Sequence, residues 1–408
     1  MSDLLITNAR LIDLETGEST PKTSVLVRNG IIESVDQSKV VAPGVETVDA
    51  KGAYLLPGFI DCHVHVTAAT FNFAELSRWS PFYTSARAGD ILSGMLSRGF
   101  TTVRDAGGAD HGLARAQKEG IIRGPRLLFG GKALSQTGGH GDMRGPGEDL
   151  FQSCYCCPGL GRICDGVTEV RKACRDEIRR GANHIKLMLS GGASSPTDRI
   201  DSTQFSLDEI AAAVEEAEAA NIYVFGHAYT ARAANRALKL GVRSIEHGNL
   251  IDDSTRNLLL EKDAFLVPTM STHEVAAEIG REIGLPESMI EKTWEVVEAG
   301  KVNHAKSHAA GVKMAFATDL LGQMHVYQLR EFELRNLFQT PLEILRSATN
   351  VAADLVKMAG QIGVIVEGAH ADFLLYDGDP TQDIDVVVKN EENLKLIVQA
   401  GRVVQNTL

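Results

Sequence analysis

The sequence predicts an α/β protein: a (β/α)8 TIM barrel carrying a small β-sandwich built from both chain ends. Three observations lead there. The middle of the 408-residue chain alternates apolar, strand-like runs with helical stretches. Both ends are rich in short strand-like segments and lack that alternation. Ligand-type side chains recur where the central runs end, which is where barrels carry their chemistry.

Residues 1–56 contain LLITNARLID, SVLVRNGIIESV and TVDAKGAYLL, punctuated by Gly, Asn and Pro. That is the pattern of strands joined by hairpins. Residues 363–408 read the same way, through VIVEGAHADFLLYDGDP and LKLIVQAGRVVQNTL. The two segments are assigned to one β-sandwich domain, interrupted by a catalytic barrel domain at 57–362. Eight strand candidates fall in that interval: 58–65, 101–107, 126–131, 184–192, 223–228, 244–248, 265–270 and 314–319. Helical patterns such as LDEIAAAVEEAEAAN (207–221) and ARAANRALKLG (231–241) separate them, ending in Asn or Gly. Eight βα units argue for a closed barrel. The intervals 132–168 and 271–300 are read as insertions.

The net charge of -12 gives no footprint for a nucleic-acid partner. The first residues, MSDLLITNARLID, read as an amphipathic strand, so no secretory leader is expected and a cytoplasmic location is. No stretch approaches the roughly 20 apolar residues of a membrane span. Six cysteines are few for a disulfide scaffold of this length. The run from Cys154 to Cys164 invites a zinc reading, but no second Cys/His pair accompanies it, so it reads as a loop with reduced thiols. Cys62 reads as a small core residue.

GFIDCHVH ends in His63 and His65, which share one strand face. Lys186, His227, His247 and Asp319 each lie in or end another apolar run. Imidazoles and charges in such strands are costly unless paired or metal-bound. A lone strand-end His is commonly a hydrogen-bonded core residue, and a strand-end Asp commonly a helix N-cap. Together, in this order, they point to a metal site.

These six residues, with LLPGFIDCHVH before them and GVIVEGAHADFLLYDGDP after, resemble the amidohydrolase superfamily in its binuclear subtype. The resemblance covers nearly the whole chain. It implies one divalent metal on His63, His65 and Asp319, and a second on His227 and His247. Lys186 would bridge them as an N-carboxylated lysine formed with CO2. Imidazole and carboxylate ligands suit zinc best, with manganese or cobalt as alternatives. A hydroxide shared by the metals would attack a carbonyl, with Asp319 as the catalytic group that carries its proton to the leaving nitrogen. The resemblance also implies a homo-oligomer.

Within that superfamily the chain resembles the prolidase-like Xaa-Pro dipeptidase branch. That branch implies His140, in SQTGGHGD, and Tyr229, in GHAYT, as the holders of the substrate's α-carboxylate. His325, after the last strand, is a further candidate for the pocket wall. His184 reads as support for the ligands, Asp105 as support for the strand ends, and His304 and His308 as part of a solvent-facing helix end. The expected activity is hydrolysis of dipeptides, Xaa-Pro foremost, with no nucleic-acid or membrane partner. Alternatives on the same site are hydrolysis of other N-acyl amino acids, including ochratoxin-like amides, and phosphotriester or lactone hydrolysis. A catalytically dead scaffold would have lost ligands, and none of the six is missing.

Overall fold

The computed structural model describes residues 3–36, 43–148, 158–192, 195, 197–285 and 287–408. It is an α/β fold with parallel sheets. Contacts divide it into two compact units: Met1–Asp61, Gly94–Thr102 and Leu329–Leu408 form one, and Cys62–Ser93 with Val103–Gln328 form the other.

In the first unit the chain ends meet in one eight-stranded sheet. Tyr54–Pro57 pairs antiparallel with Phe373–Tyr376 and parallel with Leu4–Ile12. Alternating side chains of these strands make its core, with Leu4, Ile6, Val25, Val27, Leu55, Phe373, Leu375, Leu396 and Val398 all buried. The period-two pattern in the terminal sequences is the cause: one face of each strand is apolar and packs.

Most of the central strands are largely buried, as parallel strands covered on both faces must be. A three-stranded sheet holds Phe59–Val64 (β1), Phe100–Asp105 (β2) and Arg126–Leu128 (β3). A seven-stranded parallel sheet begins with Gly161–Ile163 and Ala133–Ser135. It continues through Ile185–Met188 (β4), Val224–Thr230 (β5), Ser244–Leu250 (β6), Phe265–Val267 (β7) and Lys313–Met314 (β8). Further bonds leave the sheet edges. Cys62 N–H donates to the Phe316 carbonyl (2.9 Å), Asp319 N–H to that of His63 (2.8 Å) and Asn183 N–H to that of Phe129 (2.8 Å).

Helices follow the strands where the sequence supplies caps. Ser206 and Glu209 close a capping box at Leu207–Ala219, Thr230 caps Ala231–Lys239, and Asp252 caps Asp253–Glu261. Each cap satisfies N–H groups that the first helical turn would leave bare. Among the described residues no helix is long and apolar enough to cross a membrane.

The interval 132–168 contains two short strands of the parallel sheet, and Met270–Glu278 and Glu287–Ala309 are helices. Cys154, Cys156 and Cys157 lie outside the described residues. Cys62, Cys164 and Cys174 are buried free thiols, and burial pushes the last two up to about 12, which leaves them protonated.

Candidate metal centre

The end of β1, the strands β4, β5 and β6, and the segment after β8 carry the six residues singled out in the sequence. His63, His65 and Asp319 come together most closely: one ligand atom from each lies within 4.8 Å of the others. Asp319 Oδ1 stands 3.5 Å from His63 Nε2 and 3.4 Å from His65 Nε2. Its side chain is 15% exposed, against 1%, 9% and 2% for His63, His65 and His247, so it is the most open of these four. The His63 and His247 rings are 5.2 Å apart, and those of His227 and His247 are 4.6 Å apart. Lys186 is buried, with Nζ 4.8 Å from the centroid of Phe225.

The imidazoles are oriented by their second nitrogens. His63 Nδ1–H donates to Glu246 (2.7 Å) and His65 Nδ1–H to the Gly107 carbonyl (2.9 Å), and His247 Nδ1 pairs with the Thr269 hydroxyl (2.7 Å). All three turn Nε2 away from these partners, and in His63 and His65 the bond leaves Nε2 without a proton. His227 is reversed: Nε2–H donates to the Gly191 carbonyl at 3.2 Å, which keeps Nδ1. The Gly107 carbonyl is itself set by Asp105, whose carboxylate accepts N–H groups from Val66, Gly107 and Ala109 at 2.9–3.0 Å. Asp105 is thus the support for the strand ends that the sequence suggested.

Burial, and secondarily neighbouring cationic groups, hold His63, His227 and His247 well below the ordinary 6.5. Burial takes His65 down to about 3. Lys186 is also lowered by burial, with Glu246 and Asp319 opposing the shift. Four neutral imidazoles, a carboxylate and a lysine poised to lose its proton form a donor set suited to divalent metals. His63, His65 and Asp319 in particular could hold one ion.

The substrate-side candidates flank the second group of ligands. His140 is buried and stacks on His227, with ring centroids 4.2 Å apart. Its Nδ1 lies 2.7 Å from Ser195 Oγ and 3.5 Å from Asp198. A Cβ on Gly192 would meet its Cε1 at 2.0 Å, so glycine there makes room for the ring. Tyr229 stacks on His247 at 5.3 Å and meets His227 edge-on at 4.9 Å. Burial pushes its phenol upward, so it stays protonated. His325 is buried on the other side, its Nε2–H donating to the Ala68 carbonyl at 3.1 Å.

Sequence reasoning misses two residues here and misplaces a third. His273 accepts the Tyr229 hydroxyl at Nε2 (2.6 Å), because its Nδ1–H is spent on the Thr269 carbonyl (2.9 Å). His304 was read as solvent-facing, yet it is fully buried and donates to the His247 carbonyl at 2.7 Å. Glu246 was overlooked beside His247. His184 donates Nε2–H to the Asp105 carbonyl at 2.9 Å rather than to a ligand candidate.

The metal-free protein should therefore be acid-sensitive. Six buried histidines, 63, 65, 184, 227, 247 and 273, have lowered pKa values, His184 to about 3 and His273 to about 4. Unfolded, each binds a proton near pH 6.5 that the folded site refuses. Stability is intact above that pH and falls on acidification towards about pH 4, by about 1.4 kcal/mol per histidine per pH unit. Asp105, pushed up to about 6 by burial, opposes the trend but is one group against six. Calorimetry of chelator-treated protein should show the melting temperature dropping below pH 6.5; a flat profile would contradict the neutral cluster.

The amidohydrolase family model matches residues 54–404. Ochratoxinase from Aspergillus niger is 33% identical over 349 residues, covering 81% of this chain and 72% of that protein. The crystal structure of a prolidase complexed with N-methylphosphonate-L-proline is 46% identical, with a TM-score of 0.95 over 99% of this chain and 100% of the other. That of a Xaa-Pro dipeptidase with methionine bound in its active site is 28% identical, with a TM-score of 0.88 over the same shares. The chain belongs to the amidohydrolase family and is a hydrolytic enzyme acting on small molecules.

Proposed function

We propose that this enzyme hydrolyses the amide bond of dipeptides, Xaa-Pro foremost, at a two-metal site. The observation that carries the reading is the placement of His140 and Tyr229 against the rings of His227 and His247. Two polar groups there would hold a free α-carboxylate while the scissile carbonyl lies over the ligands. The likeness to the prolidase and the Xaa-Pro dipeptidase supports the choice of substrate.

His63, His65 and Asp319 would hold one metal, His227 and His247 the other, and Lys186, as its carbamate, both. Zinc suits this donor set best. Metals bound there would acidify a water and polarise the carbonyl. Asp319, the most open of the measured ligands, would take the proton from the attacking water and deliver it to the leaving nitrogen. A prolyl nitrogen in a tertiary amide has no hydrogen, so it can depart only if one is supplied. Burial keeps the imidazoles neutral and able to bind metal. The bonds leaving the edges of β1 and β3 support a closed (β/α)8 barrel as the frame, and the terminal sheet is read as a small β-sandwich.

The 33% identity to ochratoxinase favours a second reading, cleavage of other N-acyl amino acids. Both readings leave a free α-carboxylate on the product. Metal-loaded enzyme assayed on Xaa-Pro dipeptides, other dipeptides, N-acyl phenylalanines and a paraoxon-type ester would separate them. Xaa-Pro turnover at the highest kcat/KM is expected; ester cleavage without dipeptide cleavage would sink the proposal.

Tyr229→Phe should raise KM about 10–100-fold with kcat little changed, because a bound carboxylate would take over the hydroxyl proton that otherwise rests on His273 Nε2. The same variant should not discriminate among C-terminally amidated dipeptides, which lack the carboxylate. An equal loss on both substrate types would remove Tyr229 from the carboxylate site.

A further inference from the structure

Three of the four imidazoles rest on neutral oxygens: His65 on the Gly107 carbonyl, His227 on the Gly191 carbonyl and His247 on Thr269 Oγ1. His63 instead rests on a carboxylate. Glu246 is fully buried, and its Oε2 takes the His63 Nδ1–H at 2.7 Å. The same oxygen takes Arg104 Nη2 at 2.7 Å, and Oε1 takes the Ser244 hydroxyl at 2.6 Å. Arg104 is fixed in turn, with its guanidinium 3.9 Å over the Phe225 ring and a further bond to the Cys62 carbonyl. Glu246 and His247 are consecutive in β6, where side chains ordinarily alternate faces. His247 has φ 71°, outside strand geometry, and that departure accompanies the meeting of both residues with His63.

We infer that Glu246, clamped by Arg104, is the positioning residue of the His63–His65–Asp319 subsite and makes it the tighter of the two metal sites. Accepting Nδ1–H fixes the tautomer that leaves Nε2 bare for metal. Arg104 offsets the carboxylate's charge, so what this ring gains is rigidity: Glu246 is held by His63, Arg104 and Ser244 together, whereas each other ring rests on a single carbonyl or hydroxyl oxygen. The inference rests on the two-metal reading proposed above.

The test is a zinc titration of chelator-stripped enzyme against a competing chromogenic chelator. Wild type should bind in two steps. Removing Glu246 alone would strand the buried Arg104 charge, so the variant is Arg104→Gln with Glu246→Gln. Its tighter step should weaken about 10–100-fold, with the weaker step within about threefold of wild type. Thr269→Val, which removes the neutral partner of His247, should weaken the other step instead. Unchanged affinities in the double variant, or equal weakening of both steps, would overturn the inference. Should the double variant not fold, nitrogen-15 NMR of the metal-free wild type decides. A proton on His63 Nδ1 is expected; one on Nε2 overturns the assignment. A wild type that binds no metal would sink the two-metal reading, a result distinct from either outcome for Glu246.

Discussion

Lys186→Ala should abolish paired metal binding and lower kcat/KM roughly 10³–10⁴-fold, about 4–5.5 kcal/mol of transition-state stabilisation. Lys186 lies in β4 directly opposite Phe225 of β5, and it is 3% exposed. An ammonium at that depth is disfavoured, and burial lowers its pKa accordingly. A neutral amine can add CO2, and the carbamate that results is an anionic ligand with two oxygens. Alanine removes it. Metal analysis should then show fewer than two ions per chain, and native mass spectrometry should lose the mass of one CO2 seen on wild type. The metal-free variant should melt no lower than metal-free wild type, because what has gone is a desolvated cation. Those two signs, loss of metal without loss of fold, separate a ligand from a packing residue. Unchanged metal content and rate would sink the bridging role.

The ligand candidates were legible in the sequence because each violates a local rule. An apolar run that ends in His63-Val64-His65, or in Ala317-Thr318-Asp319, puts polar atoms where only a partner makes them tolerable. The pairing of the two chain ends was legible for a similar reason, since period-two segments need a sheet to complete them. What was not legible are the residues that orient the ligands. Glu246 sits directly before a histidine in SIEHG, and strand alternation would turn it away from His63. Alternation would let only one of the two face His63; the positive φ belongs to His247, and backbone conformation at one residue leaves no trace in composition. His273 has no signal in its own neighbourhood, because its partner, Tyr229, is 44 positions distant. The pattern HAKSHAAG suggested solvent for His304. That side chain instead crosses to the carbonyl of His247, which only the packing of Glu287–Ala309 on β6 could reveal. Residues that bind a ligand are odd in their own sequence context; residues that bind those residues need not be.

The second large effect belongs to Asp319, and its backbone makes the choice of variant decisive. Asp319 has φ 54°, a left-handed conformation that Asp and Asn tolerate and most other residues resist. Its N–H donates to the carbonyl of His63, so the turn that presents the carboxylate also holds the end of β1. Asp319→Ala would therefore strain the turn and remove the group at once, and a lost activity would not say which mattered. Asp319→Asn keeps the backbone preference and the shape. It removes the negative charge facing His63 Nε2 and His65 Nε2 at 3.5 and 3.4 Å, and with it the base that would relay a proton to the leaving nitrogen. We expect Asp319→Asn to fold and melt like wild type when metal-free, and to lose roughly 10³-fold or more in kcat, since general acid–base catalysis alone is worth about 10²–10⁴-fold. The loss should shrink for substrates whose leaving group needs no proton, such as a p-nitrophenyl ester of an amino acid, because only the relay is dispensable there. An equal loss on amide and activated ester would restrict Asp319 to metal binding. An Asp319→Asn enzyme with near wild-type turnover on Xaa-Pro dipeptides would remove it from the chemistry altogether.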